Sequence, residues 1–176
     1  MSAGPVVMVV VGSSSDLERL DEARAVFAWF GVEHEIQVAS AHRSPRRVQE
    51  LAEQAAGRGV RVIVAGAGKA AALPGVVAAS TRLPVIGLPF SAPDLGGLDA
   101  LLSTVQMPRG VPVAAVAIDG AANAAILAVE ICALGDDRLA ARLDEFKAIL
   151  AEGHDVKQVI ASPAGGAGGR GTGEGP

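Results

Sequence analysis

Cysteine is nearly absent from this chain. The single thiol, Cys132, excludes a disulfide framework and a cysteine-rich metal site. Its place in an apolar helical stretch marks it as a small core residue. Aromatic residues are almost as scarce, with four Phe, one Trp and no Tyr. The core must therefore be built from small aliphatic side chains, which calls for close packing of helices on a sheet. Positive charge is not in excess either. Fifteen Lys and Arg stand against nineteen Asp and Glu, a net charge of −4, and this leaves no basic footprint for nucleic acid. The first apolar run, Pro5 to Val11, has no charged region ahead of it and is too short to span a bilayer. The expectation is a soluble cytoplasmic protein. No His/Asp/Glu cluster has metal-ligand spacing. The G-K-[ST] ending of a P-loop and the G-x-S-x-G elbow are missing too.

What is present is a strict alternation of apolar runs and helical patterns. Half of the residues are hydrophobic, enough for a substantial core, and 176 residues fit one domain. Strands are expected at Pro5–Val11, Glu33–Ala39, Arg61–Ala65, Pro84–Leu88 and Val111–Ile118. Helices are expected at Asp16–Phe30, closed by Gly31 as a C′ glycine, at Pro45–Arg58, closed at Gly59, and at Leu73–Thr81, Leu95–Val105, Ala121–Leu134 and Asp137–Leu150. The ordered domain is placed at 1–152, and the Gly- and Pro-rich remainder, 153–176, reads as a disordered tail. Such alternation specifies a parallel sheet with helices on both faces. Sheets of that kind hold ligands at the carboxyl ends of their strands, where the strand order switches.

The loops after the strands therefore carry the candidate chemistry. The first reads Gly12-Ser13-Ser14-Ser15-Asp16. Its glycine, hydroxyls and free N–H groups at a helix start suit an anion or a ribose phosphate. Ser15 or Asp16 as a simple helix cap is the competing reading. The second loop, Ser40-Ala41-His42-Arg43-Ser44-Pro45, offers a proton-transfer imidazole beside a guanidinium that can grip phosphate. In the third, Ala65 to Gly75, small residues allow close approach of a ligand, and Lys69 is either a partner for phosphate or carboxylate or a solvated side chain. His34, at a strand start, and His154, near the tail, are weaker candidates.

These segments, together with LPG (73–75), LPVIGLP (83–89), GLDALLSTVQMP (97–108) and GVPVAAVAI (110–118), stand in the order found in the PurE family. The resemblance runs from about Val6 to Leu150. It implies a flavodoxin-like three-layer α/β/α fold with C-terminal helices. It also implies the conversion of N5-carboxyaminoimidazole ribonucleotide to 4-carboxy-5-aminoimidazole ribonucleotide, without metal, ATP or organic cofactor. Arg43, where a lysine stands in the animal-type carboxylases, resembles the bacterial mutase branch. By the same resemblance His42 moves the proton. Ser13, Ser15 and Asp16 contact ribose and phosphate, and Ser40 and Arg43 grip the phosphate. The loop of Gly66, Ala67, Gly68, Lys69 and Leu73 lies over the base and the migrating carboxyl. A homo-octamer is implied, and the helix at Ala121–Leu134, apolar on nearly every face, is the expected buried element.

The chain departs from the family in one loop. The usual G-A-G-G-A-A-H-L-P-G becomes G-A-G-K-A-A-A-L-P-G, with Lys69 for a glycine and Ala72 for the histidine. The turn after the fifth strand, Asp119 to Asn123, is about two residues shorter than usual. An inward Lys69 would pair with the migrating carboxylate. The alternatives to a purine-pathway mutase are a paralogous lyase or isomerase on a related heterocyclic nucleotide and a catalytically weak nucleotide-binding protein.

Overall fold

The computed structural model describes residues 6–161. Five strands, β1 (Val7–Val11), β2 (His34–Val38), β3 (Val62–Ala67), β4 (Val85–Pro89) and β5 (Ala114–Ala115), form one parallel sheet in the order β2-β1-β3-β4-β5. The helices are α1 (Asp21–Phe30), α2 (Pro45–Ala55), α3 (Leu73–Ala79), α4 (Leu98–Val105), α5 (Ala121–Ala133), α6 (Asp137–Ala151) and α7 (Val156–Ala161). This is the parallel sheet with helices on both faces that the alternation of elements specified, in the flavodoxin-like three-layer form that the resemblance implied, and its strand order reverses between β1 and β3.

Alternation of side chains along the buried strands divides the core in two. Val7, Val9 and Val11 of β1, with Val62 and Val64 of β3 and Ile86 and Leu88 of β4, face α1, α5 and α6. Met8, Val10, Ile63 and Ala65 face the opposite way, toward α2, α3 and α4. The few aromatics are concentrated in the first layer. Trp29, Phe30 and Phe146 form edge-on and tilted contacts with centroids 4.7–5.3 Å apart. Arg142 lies over Trp29 and donates to its carbonyl at 2.6 Å, tying α6 to α1. Cys132 is buried here, and burial pushes its thiol pKa up.

The expected elements recur with four informative differences. The helix expected from Asp16 begins as a 3-10 segment, Ser14–Leu20, and becomes α-helical only at Asp21. Consecutive serines favour local side-chain hydrogen bonds over the α-helical ladder, and Ser13 accepts from the Ser15 N–H. The fourth helix starts at Leu98 rather than Leu95, because Gly96 and Gly97 adopt left-handed backbone. The fifth strand shrinks from Val111–Ile118 to two residues. It is an edge strand whose Pro112 has no N–H to donate, although Val116 and Asp119 still donate to the β4 carbonyls of Gly87 and Pro89. Finally, part of the expected tail is ordered. The α7 helix follows Gly153, and Val159 is buried against the α1 side of the core. Its apolar residues Val156, Val159 and Ile160 repeat at helical spacing, which the glycine-rich composition beyond them obscured. The rest of that segment, 162–176, lies outside the described residues, as do residues 1–5.

The apolar surround of α5 is met largely within the chain. Ala121, Ala124, Ala125, Ala128 and Val129 are buried among the sheet, α1 and α6, and Ile126, Leu127 and Ile131 pack against the same core. A helix wedged between a sheet and two neighbours needs no partner to explain a nearly uniform apolar surface.

Gly66, in the middle of this packing, is set by close approach. A Cβ there would lie 2.7 Å from the buried Phe90 ring and 3.2 Å from Val11 Cγ1. Both neighbours are buried, Phe90 at 1% and Val11 at 0% exposure, so Gly66→Ala is expected to cost about 1–3 kcal/mol through overpacking. The check is urea denaturation, in which the variant unfolds at lower concentration than the parent.

Candidate active site

A cavity of about 240 Å³ opens at the carboxyl ends of β1, β2 and β3. It lies at the reversal of strand order, where an open parallel sheet leaves a crevice between loops that turn to opposite faces. Parallel register sets the loops level with one another. Val11 pairs with Val38 on one side and with Gly66 on the other, so all three strands end together.

Each loop has its own means of holding shape. After β1, the Ser13 hydroxyl oxygen accepts from the Ser15 N–H at 3.3 Å and from the Ser15 hydroxyl at 2.8 Å. Ser13, rather than Ser15 or Asp16, is therefore the cap. After β2, the Ser44 hydroxyl donates to the Ser40 carbonyl and accepts from the Ser40 N–H, both at 3.1 Å, while the Arg43 N–H donates to the Ser40 hydroxyl at 3.3 Å. This closed turn leaves His42 exposed on the cavity wall, and no described residue hydrogen-bonds its imidazole. The Arg43 guanidinium reaches back to the Gly12 carbonyl at 3.1 Å and so joins the first two loops. After β3, Ala70 takes a left-handed backbone with φ of 48°, and the Ala72 N–H closes a tight turn onto the Ala70 carbonyl at 2.7 Å.

The structure brings most of the expected residues together. Asp16, Ser40, His42, Ala67, Gly68, Lys69 and Leu73 line the cavity, and Ala72 lines it beside them. Ser13, Ser15 and Arg43 belong to the same loops without forming its wall. Gly66 does not reach the cavity. It is buried in β3 beneath Phe90, where its role is packing. Lys69 lines the cavity, but its ammonium is paired with Asp94 from the loop after β4. Sequence reasoning singled out neither that partner nor a second cross-loop set, in which Arg19 donates to Asp119 Oδ1 at 2.9 Å and lies over the Phe90 ring. The Ser91 N–H donates to the same carboxylate at 3.0 Å. Arg19 and Asp119 are a hundred residues apart, so no local pattern announces the pair. A non-glycine residue with φ of 56° makes Asp119 conspicuous only in three dimensions.

Two carboxylates here respond oppositely to their surroundings. Burial works to raise the pKa of Asp119, but hydrogen bonds from Ser91 and the charge of Arg19 outweigh it and hold the carboxyl below its ordinary value. For Asp16, burial dominates. It raises the pKa against the weaker pull of Arg19 and the Ser13 backbone N–H. Among the described residues, no group of three or more His, Cys, Asp or Glu side chains is placed to hold a metal ion. No described helix is long and apolar enough to cross a membrane.

The raised pKa of Asp16 has a stability consequence of definite sign. The folded state prefers the protonated acid, so the charged carboxylate weakens the fold above that raised value, and the effect disappears below the ordinary Asp value of about 4. Asp16→Asn is expected to melt slightly above the parent at about pH 7, with the difference closing as pH falls below about 4. Calorimetric melting across that range checks this, and a less stable variant at neutral pH contradicts it.

Comparison with known proteins fits this geometry. The family model described as AIR carboxylase matches residues 6–153. A Pyrococcus abyssi protein named N5-carboxyaminoimidazole ribonucleotide mutase is 51% identical over 143 residues, covering 81% of this chain and 82% of its own. A Thermotoga maritima protein of the same name is 50% identical over 143 residues, covering 81% and 84%. The phosphoribosylaminoimidazole carboxylase of Saccharomyces cerevisiae is 49% identical over 142 residues, covering 81% of this chain and 25% of its own. Among solved structures, Treponema denticola PurE superposes with a TM-score of 0.77 at 29% identity, covering 84% of this chain and 92% of that one. With a family model matched over nearly all of the described residues and relatives of about half-identical sequence, the chain belongs to the AIR carboxylase family.

Proposed function

We propose that the chain is an N5-carboxyaminoimidazole ribonucleotide mutase, an isomerase of purine biosynthesis that moves a carboxyl group from the exocyclic nitrogen to a ring carbon. The observation that carries this reading is the cavity at the strand-order reversal, whose wall a histidine with both ring nitrogens unengaged shares with Asp16 and a set of small residues. The similarity to curated mutases at about 50% identity over most of the chain supports it.

The chemistry asks little of the protein except confinement and one proton. Breaking the N–CO2 bond returns the electron pair to nitrogen, which takes a proton. The enamine-like ring carbon then attacks the trapped CO2, and the proton on that carbon must leave. One proton thus passes from carbon to nitrogen, and a single imidazole at His42 can give it at one end and take it at the other. Holding CO2 against the carbon makes the second step effectively unimolecular. Arg43 and the serine loop hold the phosphate, which is the same in substrate and product.

The two halves of the site separate kinetically. His42→Asn is expected to retain fold and ligand binding while turnover falls by about 10²–10⁴-fold. Arg43→Ala acts on a contact present throughout the reaction, so it raises KM with little change in kcat. Steady-state kinetics on the carboxyamino nucleotide make the comparison, and an unchanged kcat for the His42 variant contradicts the role given to that residue.

The same reading makes the working form a cytoplasmic homo-octamer without nucleic-acid or membrane partners. Two features of the single chain support assembly. A cavity of about 240 Å³ is smaller than the roughly 300–1,000 Å³ usual for ligand sites. In addition, Leu98, Leu102 and Val105 lie on successive turns of α4 with about half of each side chain exposed, beside exposed Leu95. Light scattering is expected to give an octameric mass for the parent and a smaller one for Leu98→Glu combined with Leu102→Glu. A monomeric parent contradicts the assembly.

A further inference from the structure

Lys69 raises a problem that its surroundings resolve. Among the described residues, three side chains that line the cavity carry or can carry charge: Asp16, His42 and Lys69. A lone ammonium on a flexible four-carbon stem at that wall is a ready partner for a carboxylate. On the mutase reading, on which this inference rests, substrate and product both carry a carboxylate, whereas the intermediate between them has released it as neutral CO2. An ammonium held against that carboxylate stabilises both ends of the reaction and not the middle, which slows turnover.

In the structure the ammonium is already taken. It pairs with Asp94, which belongs to the loop between β4 and α4 and does not line the cavity. Both side chains are more than half exposed, so the pair adds little to stability. The loops it joins are fixed by other means. The Ala72-to-Ala70 turn holds one, while the Phe90 N–H to Ala67 carbonyl bond at 2.8 Å and the Gly96 N–H to Ala92 carbonyl bond at 2.9 Å hold the other. The consequence of the ion pair is thus where it keeps the ammonium, not how firmly it holds the backbone.

We infer that Asp94 is a positioning residue that keeps Lys69 off the substrate carboxylate, so that a lysine in the cavity wall is compatible with carboxyl transfer. Asp94 acts as a standing competitor: the carboxylate of a bound nucleotide must displace another carboxylate to reach the ammonium. Removing the Asp94 charge frees Lys69 for the ligand. The change appears in carboxylated nucleotides alone, because the phosphate and ribose contacts lie in the other two loops.

The test is equilibrium binding by calorimetry, which does not depend on turnover. The probes are 4-carboxy-5-aminoimidazole ribonucleotide and its decarboxylated counterpart, 5-aminoimidazole ribonucleotide. Asp94→Asn is expected to increase the affinity ratio in favour of the carboxylated nucleotide by about three- to ten-fold, with a comparable fall in kcat. Asp94→Glu is expected to keep the parent ratio, and Lys69→Ala combined with Asp94→Asn to lose the gain. An unchanged ratio in Asp94→Asn overturns the inference. So does an equal loss of both ligands, which would mark a merely structural contact, and so does a gain that survives removal of Lys69. If the parent binds both nucleotides and only the ratio fails to respond, the mutase reading stands without this refinement. If the parent binds neither, both fall together.

Discussion

Everything in this molecule depends on β1 being hydrogen-bonded in parallel on both sides and buried along its whole length. Val7 to Val11 are each at most 1% exposed, and each is paired with one residue of β2 and one of β3. A strand so placed tolerates no polar side chain and no slip in register, because one step would exchange its two faces. The same register makes β1, β2 and β3 end level. Three loops of different origin are thereby delivered to one edge, where the strand order forces the chain to leave in opposite directions.

The walls of the cavity follow from what those loops must do without. They have few large side chains, so they close by short backbone turns and by reaching into each other. Arg43 holds the Gly12 carbonyl, the Phe90 N–H holds the Ala67 carbonyl, and Arg19 with Ser91 holds Asp119. Such ties are individually modest, about 0.5–1.5 kcal/mol for an ordinary hydrogen bond. Their value is geometric, since each removes the freedom of one loop relative to the next. The imidazole of His42 is left unengaged among these constrained neighbours, which suits the proton transfer proposed for it.

Much of this was legible in the sequence because it is written locally. The β-branched run at Val7–Val11, the apolar spacing from Ala23 to Phe30 and the glycine at 31, observed with φ of 65°, each encode their element by short-range physics. The motifs around Ser13, His42 and Gly68 follow strands, so their meeting follows from the topology alone. What was not legible is set by distant partners. The role of Gly66 depends on the ring of Phe90, which fills the space above it. The reduction of the fifth strand depends on its being an edge. The helix of Val156–Ala161 is stabilised by docking on the α1 side of the core, which no feature of the flanking glycines announces. Lys69 is the plainest instance. Read in its own loop it is a cation waiting for a ligand, and only Asp94, from another loop, shows that the charge is already met.

On the proposed mechanism, this cavity carries a carboxyl group from nitrogen to carbon without surrendering it to solvent. The most direct measurement is carbon-13 NMR of the purified chain mixed with N5-carboxyaminoimidazole ribonucleotide, labelled in the migrating carboxyl, in unlabelled bicarbonate. The account predicts a product whose carbon-bound carboxyl keeps the label. Absence of the carbon-carboxylated product, or a product that carries carboxyl drawn from the unlabelled pool, would contradict it.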